Sequence, residues 1–303
     1  MLNKLPHFFL LGALKAGTTA IQSYFESHRE VFLPDMKETL YFAYQPGWDT
    51  LNGPAKLKPV TNISSYKACF AKADDDQLRG EICPVYMAYP DTSIKRMQEV
   101  YGGYLANVKA IFILRHPVAR AYSHYLMHVK NLQETLSFES AIQDSIRRRR
   151  HTQNWSPFFD YLFPGFYAYS LKRFMEVMPN YYVCLYEDFK ERPVEVLREM
   201  ETFLGVEHLG QLPANRNISG VPKNKLLQKF LVNPNGIKRV LKKLLPHTLR
   251  IQLKERAINQ NLNKDTISPQ LFKELTQLYK NDLLALNDLI EPDVSHWLMN
   301  EQD

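Results

Sequence analysis

The chain has 303 residues, of which 45% are hydrophobic, 12% aromatic and 23% charged. This balance is typical of a folded globular protein and excludes a disordered chain, a collagen and a coiled coil. The 38 Lys and Arg residues exceed the 32 Asp and Glu residues and give a formal charge of +6, which favours an anionic ligand but is too small to indicate nucleic acid.

Three apolar runs rich in β-forming residues are each followed by helical spacing: residues 8–14 (FFLLGAL), 108–114 (VKAIFIL) and 181–186 (YYVCLY). Thr18 and Thr19 are able to cap the first helix, Pro117 opens the second, and Pro193 opens a third that stops at Gly205. This alternation predicts a three-layer α/β fold with a central parallel sheet flanked by helices. Since no repeat or linker interrupts it, we expect a single domain over residues 1–303, mostly helical from about residue 223.

Further segments lie between and after these units. Residues 46–76 and 147–164 are loop-like, and the second stretch begins with four arginines at 147–150, which we predict to form a solvated face, with contact to an anionic acceptor as the alternative. Apolar spacings of three, four and seven predict an amphipathic helix over residues 268–290. The basic segment 236–256 is predicted to be a packed pair of helices; a membrane-surface contact or the face of a homodimer is the alternative.

The cysteine and apolar patterns bear on the cellular setting. Cys69, Cys83 and Cys184 lack CxxC spacing and a nearby His partner, so the sequence encodes neither a disulfide framework nor a zinc site. The first apolar run has no basic leader or cleavage site, and no stretch reaches the roughly 18 apolar residues of a membrane span. We expect a cytoplasmic protein with no membrane span, no bound metal and no nucleic-acid partner.

Residues 12–19 (GALKAGTT) join the first strand to its helix in a P-loop-like turn, where free N–H groups and the helix end favour phosphate. A Walker loop has its lysine directly after the second glycine, but Thr18 stands there and the lysine is Lys15. A γ-phosphate with Mg²⁺ is therefore poorly provided for, whereas Lys15 would lie near a 5′-phosphate oxygen. The alternatives are a nucleoside or small-molecule kinase, a non-enzymatic nucleotide-binding module, and a turn without a ligand.

A second turn of the same type follows the second strand. Arg115 stands in the connection and Ser123 on the early turns of the next helix. Arginine grips phosphate with a forked pair of donors. Two such turns at the carboxyl ends of parallel strands lie where open α/β sheets bind ligands. Nearby, His124 and His128 have i,i+4 spacing without a third ligand, and we predict that they are helix-surface residues.

Seven segments carry a family resemblance over nearly the whole length. In chain order they are GALKAGTTAIQSYF (12–25), MKETLYF (36–42), GEICPVY (80–86), LRHPVARAYSHY (114–125), VCLYEDF (183–189), NISGVPKN (217–224) and LYKNDLLALNDLI (278–290). The chain resembles the sulfotransferases that use 3′-phosphoadenosine 5′-phosphosulfate (PAPS), closest to the branch with bacterial enzymes and heparan-sulfate sulfotransferase domains.

The resemblance implies roles for particular residues. It implies PAPS as the donor, 3′,5′-phosphoadenosine as the product, and no metal. Glu38 is similar to the catalytic base, and Lys15 to the cation that stabilises the leaving phosphate. The donor contacts that it implies are Lys15, Ala16, Gly17, Thr18 and Thr19 for the 5′-phosphosulfate, Arg115 and Ser123 for the 3′-phosphate, Tyr186 near the adenine, and Gly220 and Lys223 in a late loop.

The acceptor is less defined. Tyr41, Phe42, Tyr86 and Trp155 are candidates for an apolar acceptor pocket. Heparan-sulfate enzymes commonly have Glu-Lys-[Ser/Thr]-Pro where this chain has Glu81-Ile82-Cys83-Pro84, so that Ile82 stands in place of the lysine. This departure weakens the case for a polysaccharide and favours a smaller acceptor. The expected reaction is in-line sulfuryl transfer to a hydroxyl or amine of a small-molecule or glycan acceptor, with Glu38 as general base.

Overall fold

The computed structural model describes residues 4–210, 221–232, 257–258, 260–263 and 266–299. Predictions for Gly220 and for residues 236–256 lie outside the described residues. The strands are β1 (Phe8–Gly12), β2 (Val31–Phe32), β3 (Leu78–Ile82), β4 (Lys109–Leu114), β5 (Tyr181–Leu185), β6 (Val221–Pro222) and β7 (Leu262–Asn263). The helices are α1 (Thr18–Phe25), α2 (Ile63–Ala68), α3 (Val85–Ala88), α4 (Pro90–Tyr101), α5 (Pro117–Lys130), α6 (Phe138–Ala141), α7 (Asp144–Thr152), α8 (Ala168–Val177), α9 (Tyr186–Glu191), α10 (Pro193–Leu204), α11 (Lys225–Val232) and α12 (Pro269–Asn287).

A five-stranded sheet in the order β2-β3-β1-β4-β5 forms the centre of the fold. All of its pairings are parallel. Every residue of β1 is buried, and so is every residue of β4 after the first. Strands covered on both faces have continuous apolar runs rather than alternating ones, which explains why the sequence reveals these two so clearly. The predicted α/β fold with a central parallel sheet flanked by helices is confirmed.

The sequence does not reveal β3, because the residues LRGEI break the apolar pattern. Gly80 is needed for packing, since a Cβ there would lie 2.0 Å from Cζ of Phe8 on β1. Glu81 is only 1% exposed. A buried carboxylate is tolerated when it is hydrogen-bonded, and Glu81 accepts bonds from the hydroxyls of Thr39 (2.5 Å), Tyr66 (2.5 Å) and Tyr86 (2.8 Å).

The helix ends agree with the sequence at most points and differ at one. α10 ends at Gly205, which has a φ of 78°, and α12 begins after Ser268, whose hydroxyl accepts a bond from Leu271 N at 3.3 Å. The prediction that Thr18 or Thr19 caps α1 is wrong. Gly17 is the N-cap, with a φ of 92° and no side-chain cap. A glycine in this position leaves the first N–H groups of the helix without a competing side chain.

The stretch predicted as a loop over residues 147–164 contains most of α7, and only Arg148 and Arg149 of its four arginines are exposed as predicted. Arg150 is buried and pairs with Glu134, Nη2 to Oε2, at 2.7 Å. Arg147 pairs with Asp160 at 2.7 Å. A buried arginine requires such a partner, and the sequence does not show that Glu134 supplies it.

α12 belongs to the main core. Its buried residues include Leu275, Tyr279, Leu283 and Leu286. The Tyr279 hydroxyl donates to the main-chain oxygen of Leu162 at 2.7 Å. The predicted amphipathic helix is therefore confirmed, although one domain over residues 1–303 stays a prediction. Among the described helices, none is both long and apolar enough to cross a bilayer.

Candidate active site

The turn from β1 to α1 presents unpaired donors. Lys15 and Gly17 both have positive φ, 67° and 92°. Within the described ranges, the main-chain N–H groups of Gly17, Thr18 and Thr19 donate to no acceptor. Free N–H groups at the start of a helix, where its dipole is positive, attract anions.

Arg115, the residue that follows β4, contacts this turn. Its Nη1 donates to the main-chain oxygen of Lys15 at 3.1 Å. Its guanidinium lies 4.6 Å from the centre of the Tyr186 ring, and that ring packs so closely on Gly17 that a Cβ there would lie 3.2 Å from it. Both turns and the first residue of α9 therefore meet at one place. The Tyr167 hydroxyl donates to the main-chain oxygen of Arg115 at 2.9 Å and holds this connection.

The side chain of Lys15 is in an unusual electrostatic position. Burial, reinforced by the charge of Arg115 and opposed by that of Glu38, lowers the pKa of Lys15 to about 8. In the described residues, neither Lys15 nor Arg115 forms an ion pair with a carboxylate. Two cations that repel each other without a protein counter-ion favour a bound anion.

Glu38 lies on a strained segment near this turn. Its φ is 60°, and that of Leu40 is 59°. Burial raises the pKa of the Glu38 carboxyl, while the charges of Lys37 and Lys15 lower it. Since Glu38 and Lys15 influence each other's pKa, a glutamate able to accept a proton lies within electrostatic reach of the anion-binding turn.

Thr39 and Glu81 hold this segment, and the sequence analysis assigned no role to either. Thr39 is fully buried and donates to Glu81 on β3. Its main-chain oxygen accepts from Val60 N at 2.9 Å. The signal available in the sequence was the glutamate of GEICPVY, an acidic residue beside a buried apolar segment.

The remaining predicted donor contacts lie in different surroundings. Ala16 is fully buried and Thr18 is 5% exposed, whereas Thr19 is exposed. Ser123 is buried as the seventh residue of α5. Lys223 is exposed, and its main-chain N–H donates to Asn261 O at 2.6 Å.

The predicted acceptor residues do not form one surface. Phe42 and Tyr86 are fully buried, with ring centres 5.6 Å apart. They belong to the core because the β3 carboxylate network and β1 cover them, so we leave them out of the acceptor pocket. Tyr41 is 9% exposed and stacks on Tyr66 at 4.5 Å. Trp155 packs on Gly53 and on the Arg150 guanidinium, at 5.1 Å.

The prediction that His124 and His128 are helix-surface residues is wrong. They are 1% and 2% exposed. The ring of His128 lies 4.3 Å from that of Phe159, and the ring of His124 lies 5.4 Å from that of Tyr161. Burial lowers the pKa of both histidines, to about 4 for His128. In the part of the chain that the structure describes, no group of three His, Cys, Asp or Glu residues could hold a metal ion.

A cavity of about 860 Å³ runs along β5 and is bordered by α9 and by residues 289–296. None of Lys15, Glu38 and Arg115 lines it. The candidate site is therefore defined by the convergence of side chains on the β1–α1 turn and not by this groove at the sheet edge.

Comparison with known proteins gives consistent matches. The model of the sulfotransferase domain family matches residues 5–217. The crystal structure of a sulfotransferase from Alicyclobacillus acidocaldarius is similar with a TM-score of 0.72 and 26% identity, over 97% of this chain and 98% of that one. The membrane-associated sulfotransferase kil1 of Dictyostelium discoideum is 21% identical over an alignment of 310 residues, gaps included, that covers 76% of this chain and 62% of that protein.

The chain thus spans less than two thirds of the length of that curated relative. The family match begins before β1 and continues past α10. It includes both converging turns, the segment of Glu38 and the whole five-stranded sheet. The chain therefore belongs to the sulfotransferase domain family.

Proposed function

We propose that the protein transfers the sulfuryl group of PAPS to a hydroxyl or amine of a small-molecule or glycan acceptor. The observation that supports this most is the hydrogen bond from Arg115 to the main-chain oxygen of Lys15, at the free amino end of α1. Two cations that are 100 residues apart in the chain thereby face one site. Such a pair suits a nucleotide with phosphate groups at both its 3′ and 5′ positions.

The residues present fit this donor. In the proposal, the turn formed by Lys15, Ala16, Gly17, Thr18 and Thr19 holds the 5′-phosphosulfate. The Lys15 ammonium and the free N–H groups of Gly17, Thr18 and Thr19 supply the contacts, since the N–H of Ala16 already donates to Ala13 O at 3.3 Å. Arg115 and Ser123 hold the 3′-phosphate, Tyr186 lies near the adenine, and Gly220 and Lys223 are donor contacts in a late loop. Gly17 is suited to this role because it leaves room for the Tyr186 ring and adopts a positive φ.

The chemistry follows from charge and proton affinity. When bound, the donor supplies a sulfuryl group, whose bond to the 5′-phosphate oxygen breaks as the acceptor atom bonds to sulfur. Glu38 accepts the proton of the acceptor hydroxyl or amine, and burial gives its carboxylate a raised affinity for that proton. Lys15 stabilises the charge on the leaving phosphate, an effect on the order of 3 kcal/mol for one such donor.

A P-loop kinase is the weaker alternative. Thr18 stands where a kinase has the lysine for its outer phosphates, and the family match is to sulfotransferases. A protein that only binds nucleotide would gain nothing from a strained glutamate beside the turn. Of the predicted acceptor-pocket residues, Tyr41 and Trp155 remain in the proposal. Residence in the cytoplasm and a homodimer remain parts of the proposal.

Thermal unfolding tests the donor class. A ligand at 100 times its dissociation constant adds about 2.7 kcal/mol of stability. We expect 3′,5′-phosphoadenosine to raise the Tm of the protein, ATP with Mg²⁺ to raise it much less, and Arg115→Met to abolish most of the rise. A Tm raised by Mg-ATP alone would support the kinase instead.

Transfer of ³⁵S from PAPS to a panel of alcohols, phenols, amines and glycans would then identify the acceptor.

Replacement of Glu38 tests the base. Glu38→Gln keeps the size of the side chain but removes its proton affinity. We expect turnover to fall by about 10²–10⁴, the usual contribution of a general base, with 3′,5′-phosphoadenosine binding unchanged. Glu139→Gln, at an exposed position in α6, is the matched control. Near-normal turnover of Glu38→Gln would remove Glu38 from the mechanism.

A further inference from the structure

A second lysine reaches the β1–α1 turn, and the sequence analysis gave it no role. Lys37 Nζ donates to Thr19 Oγ1 at 2.5 Å. Thr19 lies in the first turn of α1, beside the free N–H groups. Lys37 also directly precedes Glu38, so the hydrogen bond joins the helix start to the segment of the proposed base.

The charges of Glu38 and Glu26 attract Lys37 and raise its pKa against the effect of burial, but neither carboxylate forms an ion pair with it. In the ranges described, no carboxylate oxygen lies within 4.0 Å of its ammonium. By contrast, Lys72 pairs with Asp35, which is two residues before Lys37 in the chain, at 2.7 Å. A threonine hydroxyl supplies an acceptor but no counter-charge, so the hydrogen bond leaves the ammonium ready to bind an anion.

The order of groups along the site places this ammonium relative to the reaction. In the proposed function, Lys15, whose main-chain oxygen accepts a bond from Arg115, binds the leaving phosphate, and Glu38 takes the proton of the acceptor. The sulfur atom must lie between the leaving phosphate oxygen and the attacking atom. The Lys37 ammonium is held at Thr19, and Lys37 directly precedes Glu38. It is therefore suited to bind the oxygens of the transferred sulfuryl group.

We infer that Lys37 binds the sulfuryl group of the donor and thereby makes the site prefer PAPS to 3′,5′-phosphoadenosine. This inference rests on the proposed function. Lys15 and Arg115 bind parts that the donor and the product share, so they cannot distinguish the two. Lys37 binds the part that only the donor has, so its contribution is lost on transfer and product release is favoured.

Calorimetric titration tests the role of Lys37. It measures the Kd of PAPS and of 3′,5′-phosphoadenosine for the wild type, Lys37→Met and Lys37→Arg. We expect Lys37→Met to weaken PAPS binding by about 10- to 100-fold, the ratio that one hydrogen bond to a charged group provides. Binding of 3′,5′-phosphoadenosine should change less than about twofold, because this nucleotide has no sulfuryl group and loses no such hydrogen bond. Lys37→Arg should restore part of the preference. Lys72→Met, which removes a lysine that is 75% exposed, should change neither affinity.

The outcomes separate the two proposals. Equal weakening of both nucleotides by Lys37→Met, or no weakening of either, overturns the role of Lys37 and leaves the donor assignment intact. A wild type that binds neither nucleotide overturns both. Unchanged Tm values of the ligand-free variants would show that the affinities report binding and not unfolding.

Discussion

Glu38 and Leu40 have φ values of 60° and 59° on either side of Thr39. Such values cost roughly 1–3 kcal/mol each in residues other than glycine and persist only where neighbouring contacts enforce them. Here the buried Thr39–Glu81 hydrogen bond supplies the restraint, because Glu81 is itself fixed by two tyrosine hydroxyls. Glu81 therefore holds the backbone segment that contains Glu38, although no local pattern in the sequence links the two.

The lowered pKa of Lys15 predicts a pH-dependent affinity for nucleotide. Below about pH 8 the free protein has a charged Lys15, and above it the ammonium loses its proton. A bound anion requires the charged form, so we expect the Kd for 3′,5′-phosphoadenosine to rise by about tenfold per pH unit above pH 8. Lys15→Arg stays charged in this range and should show no such rise.

Calorimetric titrations between pH 7 and pH 9.5 measure both slopes. The slope is the readout, since Lys15→Arg also changes the shape of the cation and its absolute affinity. Equal slopes for the two proteins would mean that Lys15 does not carry the charge that binds the nucleotide.

At the scale of elements, α5 shows what periodicity reveals and what it does not. Its apolar stripe predicted a helix packed on one side, and Val118 and Ala121 are indeed fully buried. His124 and His128 are buried although the sequence predicts that they are exposed. The reason is that residues 157–163 cover a second face of the helix. Arg120 is also fully buried there and donates to the main-chain oxygen of Tyr161.

In α7 too, distant segments decide which residues of the arginine run are buried. Arg147 and Arg150 are three residues apart and share a face that meets acidic partners, whereas Arg148 and Arg149 are exposed. The pair between Arg150 and Glu134 is nearly fully buried, and the Tyr161 hydroxyl donates to the same carboxylate at 2.8 Å. Charge composition alone indicates a solvated face, because it contains no information on partners 16 residues away.

At the scale of the whole molecule, neighbouring strands each supply one part of the site. β3 carries Glu81, which holds the segment of Glu38. β1 leads into Lys15, β4 into Arg115 and β5 into Tyr186. All four strands are parallel, so their carboxyl ends lie at one edge of the sheet. This topology explains how residues 100 positions apart come within hydrogen-bond distance.

The core also extends beyond the segment that the family model matches, and this predicts the effect of a pair of substitutions in α12. Leu283 is fully buried, whereas Leu284 is 47% exposed. We expect Leu283→Ala to lower the free energy of unfolding by about 2–5 kcal/mol and Leu284→Ala by less than about 0.5 kcal/mol. Urea denaturation measures both. Equal small losses would show that α12 is not part of the cooperative core.

The sequence by itself determined the α/β class, both converging turns and the family, because each depends on a few consecutive residues whose backbone geometry is local. Tertiary structure alone decided which aromatic residues are core, where Arg150 finds its partner, and that Lys37 reaches Thr19. Those outcomes depend on which distant segment covers a given face, and burial of a polar group is permitted only where that segment supplies its hydrogen bonds.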